Sequence, residues 1–166
     1  VGIGLFFYKE NYNRNISHNY KLSKQKLLEK IDTKKMNQIN IKGDDSNVSL
    51  LQIQGGGWIE KSMNYEANIF AIQKLLLKIS DLHLGELVTE NSEHHERFRL
   101  LEQTNTSVDL EKGSFANSLT ILYGDGSIIL SLLLGKERLN GGGQYVRYAG
   151  SNKVYLIPEK LNLKTD

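Results

Sequence analysis

The sequence predicts an α+β fold: a mostly antiparallel sheet, one main helix packed across it, and a C-terminal β-meander. Three observations carry this expectation. Apolar and polar residues alternate in short runs, as in Ile39-Asn40-Ile41-Lys42, which is the period of a half-buried strand. A helical period stands out over residues 66–80. Short turns rich in Gly, Asn and Asp join the apolar runs, as expected for neighbouring antiparallel strands.

Taken in order, the first strand is centred on Ile39 and Ile41, after a short helix near Leu27. Gly43-Asp44-Asp45-Ser46 is a turn cluster. In the next run Val48, Leu50 and Gln52 share one parity and Leu51 and Ile53 the other, so this strand is expected to be buried on much of both faces. Gly55-Gly56-Gly57 breaks it, and Trp58-Ile59-Glu60-Lys61 begins a third strand. Ile69, Ile72, Leu76 and Ile79 are spaced three, four and three, one apolar stripe on a helix. Phe70, Leu75 and Leu77 are expected to widen that stripe. Leu87-Val88-Thr89 reads as a strand, and Glu93 to Phe98 as a short helix capped by Ser92. The meander follows: Ser118–Tyr123 and Ser127–Leu134 flank Gly124-Asp125-Gly126, a tight hairpin loop. Gln144–Tyr148 and Lys153–Ile157 flank Gly150-Ser151-Asn152. Pro158 ends the last strand, and Pro158 to Leu161 could start another helix, which leaves open a cut at this end.

The 166 residues suit one ordinary domain, with a large enough core to fold without staples. Lys and Arg number 21 against 19 Asp and Glu, a net charge of +2 that offers no electrostatic footprint for nucleic acid. There is no Cys, which excludes disulfides, Cys-ligated zinc and thiol catalysis together. Val1 to Tyr8 is apolar and closes on Tyr before the polar Lys9-Glu10-Asn11. As a helix it covers about 12 Å of a hydrocarbon core of about 30 Å, so alone it cannot cross a membrane. It reads either as the last part of a membrane helix or as a buried first strand. We take it as the remnant of an N-terminal anchor (residues 1–8), followed by a polar linker (9–26) and one α+β domain (27–166). The basic residues that follow the apolar start, from Lys9 to Lys35, argue for a cytoplasmic flank on charge alone.

No catalytic constellation emerges. Zinc-protease chemistry needs His-Glu-x-x-His, so that two imidazoles share a helix face. Here His95-Glu96 is followed by Arg99 where the second His belongs. Adjacent His94 and His95 diverge by about 100° on a helix. Around Gly135-Lys136 a phosphate loop fails at Leu130 and Glu137, and a dinucleotide fingerprint from Gly141 fails at Val146. No cofactor is therefore expected. A hydrolytic carboxylate pair could be drawn from Glu60, Glu66, Glu90 and Asp109, but sequence spacing cannot bring two together. Tyr145 and Arg147 share parity on a strand. Such a face either stacks on sugar or peptide, or covers the sheet with the Arg paired to a carboxylate. Trp58, after three glycines, is a core anchor or a ligand platform.

Gly57-Trp58, Leu87-Val88-Thr89-Glu90-Asn91, Leu134-Gly135-Lys136, Tyr145-Val146-Arg147 and Val154-Tyr155-Leu156 follow one another in this order. In that order they resemble a bacterial family catalogued as domain of unknown function 4340, over roughly residues 27–160. One departure is Arg99-Leu100-Leu101-Glu102, which stands where the family often has a Gly-Leu-x-x-Pro turn. The resemblance implies an N-terminal membrane anchor, an extracytoplasmic domain and association with ABC-type transport systems of the kind linked to gliding motility. It carries over no catalytic residues. The expectation is a non-catalytic binding or assembly module with the membrane and an envelope or transporter protein as partners. The alternatives are a glycan- or peptide-binding domain using Tyr145, Arg147 and Trp58, and a carboxylate-dependent hydrolase.

Overall fold

The structure is a computed structural model that describes residues 25–28, 32, 34–44, 46–103 and 112–163. In chain order its elements are β1 (Met36–Lys42), β2 (Asn47–Gln52), β3 (Trp58–Glu60), β4 (Tyr65–Glu66), α1 (Ile69–Asp81), β5 (Glu86–Thr89), β6 (Asn117–Tyr123), β7 (Ile128–Glu137), β8 (Gln144–Tyr148) and β9 (Val154–Ile157). All nine strands form one sheet in the order β4-β3-β2-β1-β6-β7-β8-β9-β5. Every pairing is antiparallel.

The sheet is two meanders joined at their roots. One runs outward from β1 to β4 and the other from β6 to β9, with β1 and β6 paired at the centre. The chain then has to travel from the β4 edge to the opposite edge, where β5 pairs with β9. Helix α1 is that connection.

This corrects the predicted fold class. The protein is not α+β but predominantly β, a nine-stranded antiparallel sheet with a single 13-residue α-helix among the described residues. The other expected helices do not form. Residues 92–98 make two 3-10 turns, Ser92–His94 and Glu96–Phe98, ended by Arg99 in the left-handed region at φ 56°. The first is capped by Asn91, not Ser92. A segment this short makes too few helical bonds to offset nucleation, so its conformation follows what it packs on. Pro158–Leu161 bends at Pro158 and Glu159 and forms no helix. Leu27 lies in an irregular segment whose N–H donates to the Leu82 carbonyl at 2.8 Å.

The expected anchor remnant 1–8 lies outside the described residues, as does the linker apart from Gln25 and Lys26. The Gln25 carbonyl accepts from Leu84 N–H at 2.8 Å. Strand β2 was expected to be buried on both faces. It is instead half-buried from Val48 to Gln52, because it lies toward the thinly covered β4 edge.

Alternation gives the sheet two unequal cores. On the α1 face, Ile39 and Ile41 of β1 sit opposite Ile121 and Leu119 of β6, and these in turn face Leu130 and Leu132 of β7. All six are at most 6% exposed, and each such side chain stabilises the fold by about 2 kcal/mol. Ile72 and Ile79 of α1 and Trp58 of β3 join this cluster. On the other face a smaller cluster unites Leu133 and Val154 with Phe98, Leu100 and Ala116. Its cover is the irregular segment 92–102.

Helix α1 begins where the Asn68 side chain accepts from the Phe70 and Ala71 N–H groups, the usual N-cap chemistry. Phe70 and Leu77 do not widen the buried stripe as expected; they are 78% and 64% exposed.

Candidate functional site

Tyr145 and Arg147 do share a face of β8, and it is the face covered by segment 92–102. The Phe98 ring lies 4.5 Å from the Tyr145 ring, tilted by 43°. Arg147 is 5% exposed. Its Nη2 and Nε donate to the Leu100 carbonyl at 2.7 and 3.3 Å, and Nη1 donates to the Ser151 carbonyl at 2.8 Å. Nη1 also pairs with Glu102 at 3.1 Å. Burial pushes the guanidinium's pKa down, and the Glu102 carboxylate opposes that shift. Arg147 thus holds the covering segment onto the sheet with every arm of its fork engaged.

The same contact explains a glycine inside β7. A Cβ on Gly135 would fall on the Phe98 carbonyl oxygen and lie 2.9 Å from Leu100 Cγ. A glycine inside a strand pattern often marks such a close backbone approach, so this was the one sequence signal for the covering segment. Glu102, the carboxylate partner of Arg147, carried no signal because it sits 45 residues away.

The neighbouring segments are equally committed. His95 is 5% exposed, with Nε2 3.1 Å from the Asn152 carbonyl oxygen. His94 turns away, with Nδ1 3.0 Å from Thr89 Oγ1. No group of three His, Asp or Glu among the described residues is arranged to hold a metal ion. The carboxylates named from sequence are dispersed. Glu60 Oε2 accepts from the Ser62 hydroxyl and from the Met63 and Ser62 N–H groups in the β3–β4 turn, and these bonds hold its pKa below the ordinary range. Glu66 lies on edge strand β4, Glu90 pairs with Lys153 beyond the opposite edge, and Asp109 lies outside the described residues.

Trp58 is placed differently. It is 5% exposed and packs in the larger core, yet it also walls an open groove of about 570 Å³. The groove runs between α1 and the ends of β1–β3. Its apolar walls include Met36, Ile69, Ile72, Leu76 and Leu77, and Lys34, Gln52, Gln73 and Ser80 add polar groups. A cavity of this volume, mostly apolar with a few convergent polar groups, has the make-up of a binding site. The sequence separated its walls by 46 residues, from Lys34 to Ser80, and gave no sign that they converge.

The motifs of the C-terminal half now have a structural account. Val146 faces Tyr155, Arg147 faces Val154, and Tyr145 faces Leu156 across the β8–β9 pair. Gly135 gives room to the covering segment. The Gly-Leu-x-x-Pro turn expected near residue 99 is replaced here by Arg99 in the left-handed conformation that a glycine adopts freely. A family profile described as a domain of unknown function (DUF4340) matches residues 58–166. No curated protein and no solved structure matches the chain. The profile runs from Trp58 through α1 to the last strand and leaves Lys34, Met36, Gln52 and Gly56 of the groove outside it, and the chain belongs to the DUF4340 family.

Proposed function

We propose that this protein is a non-catalytic binding or assembly module, anchored in the membrane by an N-terminal helix and working on the extracytoplasmic side beside a transporter or another envelope machine. The observation that carries the binding role is the groove between α1 and the ends of β1–β3. It is open, largely apolar and built on regular elements, which hold a surface in fixed geometry. The resemblance noted above supports the setting. Tyr145 and Arg147 do not favour a glycan or peptide reading, since Arg147 spends its donors inside the protein.

The test uses full-length protein in its native membranes with a photo-crosslinking residue at Gln52, on the groove wall, and separately at Lys153, on the far side. Adducts with an envelope or transporter protein from position 52 alone are expected. Equal adducts from both positions, or none with such a protein, refute the groove as the docking site. Protease accessibility of a C-terminal tag checks the setting. Cleavage in cells with only the outer layer permeabilised is expected; protection until the inner membrane is broken refutes it.

A further inference from the structure

The groove between α1 and the ends of β1–β3 is polarised along its length. Its α1 wall runs from Ile69 to Ser80, about 16 Å at 1.5 Å per residue. Ala67 N–H donates to the Trp58 carbonyl at 2.8 Å, so α1 starts beside β3 and runs from there toward β1. The Trp58 and Ile69 end is apolar, and the far end carries Lys34 and Ser80. On the α1 wall Ile69 and Leu77 are 36% and 64% exposed, which leaves apolar area to be covered. Gln52 ends β2 on one wall, and Gln73 lies on α1 on the other. Neither amide makes a side-chain hydrogen bond among the described residues, and each offers both donors and an acceptor. Lys34 is the one charged side chain among the described residues that line the groove. Its ammonium has no partner among the described residues. The nearby Asp32 carboxylate accepts from the Lys34 backbone N–H and pairs with Lys35 instead.

We propose that the groove takes a short extended peptide segment of the partner, with a carboxylate beside Lys34 and apolar side chains toward Trp58, Ile69 and Leu77. This rests on the groove as the docking site and gives its occupant a chemistry. The two facing amides and the lone cation carry the choice. An acyl chain has nothing to offer either amide. An α-helix spends its backbone N–H and C=O groups on itself, except at its ends. An extended segment presents both groups at every residue, and about five of its residues span about 16 Å. Its side chains alternate, so apolar ones can line the groove while their neighbours stay in water. No carboxylate lines the groove among the described residues, so an acidic residue meets Lys34 unopposed and a basic one is repelled. So small a contact supports a dissociation constant of about 10–100 µM.

Panning a random linear dodecapeptide library on the purified chain reads this chemistry. Enrichment of sequences in which Asp or Glu flanks an apolar run is expected. Trp58 is the one tryptophan of the chain and walls the groove, so its emission follows the binding of a synthetic peptide of the enriched sequence. Lys34→Glu should weaken that peptide by at least about tenfold and, panned afresh, should select Lys or Arg in place of the acid. Gln52→Ala and Gln73→Ala should each weaken it by about fivefold. An unchanged melting temperature confirms that each variant folds. No enrichment overturns the proposal, as do acidic peptides selected equally by Lys34→Glu, or binding indifferent to both glutamines. A saturable Trp58 response to sodium palmitate, with none to any peptide, also overturns it and assigns the groove to an acyl chain. Where position 52 still crosslinks to an envelope or transporter protein but panning selects no acid, the groove stands and this assignment of its occupant falls. Where position 52 gives no such adduct and panning enriches nothing, the groove itself fails and the assignment falls with it.

Discussion

Arg147→Met is the sharpest probe of how the covering segment is held. The substitution keeps much of the aliphatic stem and removes the guanidinium. Two backbone carbonyls then lose charged donors: Leu100, which receives both Nη2 and Nε, and Ser151, which receives Nη1. A hydrogen bond to a charged group contributes about 1.5–3 kcal/mol when the partner stays buried. Leu100 is fully buried and carries that cost in full; Ser151 is half-buried and regains some hydration. The Glu102 side chain is 42% exposed, so its carboxylate rehydrates and adds little. The expected loss is about 3–4 kcal/mol, a large share of the 5–15 kcal/mol typical of a domain. In urea unfolding the midpoint should fall by about 2 M with little change in slope. Hydrogen exchange should rise first in residues 92–101. Glu102→Gln, by contrast, should cost under about 1 kcal/mol. A loss below about 1 kcal/mol for Arg147→Met would refute this reasoning, and would return Arg147 to the list of side chains available to a ligand.

Two further perturbations test the same architecture. Gly135→Ala drives a methyl group into the Phe98 carbonyl and against Leu100, and should destabilise by about 2–3 kcal/mol as overpacking does; a neutral melting curve would show that the segment lifts freely from β7. Glu60 has a folded pKa below its unfolded value because Ser62 and Met63 hydrogen-bond its carboxylate. Its contribution is therefore present above the unfolded pKa and lost as pH falls through the lower, folded one. The Met63 amide resonance should titrate in that acid window and stop doing so in Glu60→Gln.

Local pattern made much of the fold legible. Alternation at Ile39 and Ile41 places β1, and the 3.6-residue period of Ile72 and Ile79 places α1. The turn residues Gly124 to Gly126 place the β6–β7 hairpin, where Gly126 takes φ 83°. Such signals act over a few residues, through side-chain periodicity and backbone freedom. They could not show that 92–98 is irregular, because no regular element is preferred there until a sheet lies beneath it. The same helical period did place Phe70 and Leu77 about 140–160° from Ile72, so the expectation that they widen the buried stripe went against the pattern itself.

The sequence by itself thus placed most strands and helix α1 to within a few residues, and determined which chemistries its residue types exclude. Only the tertiary structure decided that β5 joins the far edge of the sheet and that Arg147 is buried beneath segment 92–102. It also decided that Trp58 walls a groove and that helix is a minor part of a β protein. The reason is physical. Each of these outcomes depends on contacts between residues tens of positions apart, whose free energy of burial and pairing exists only once the chain has closed those loops.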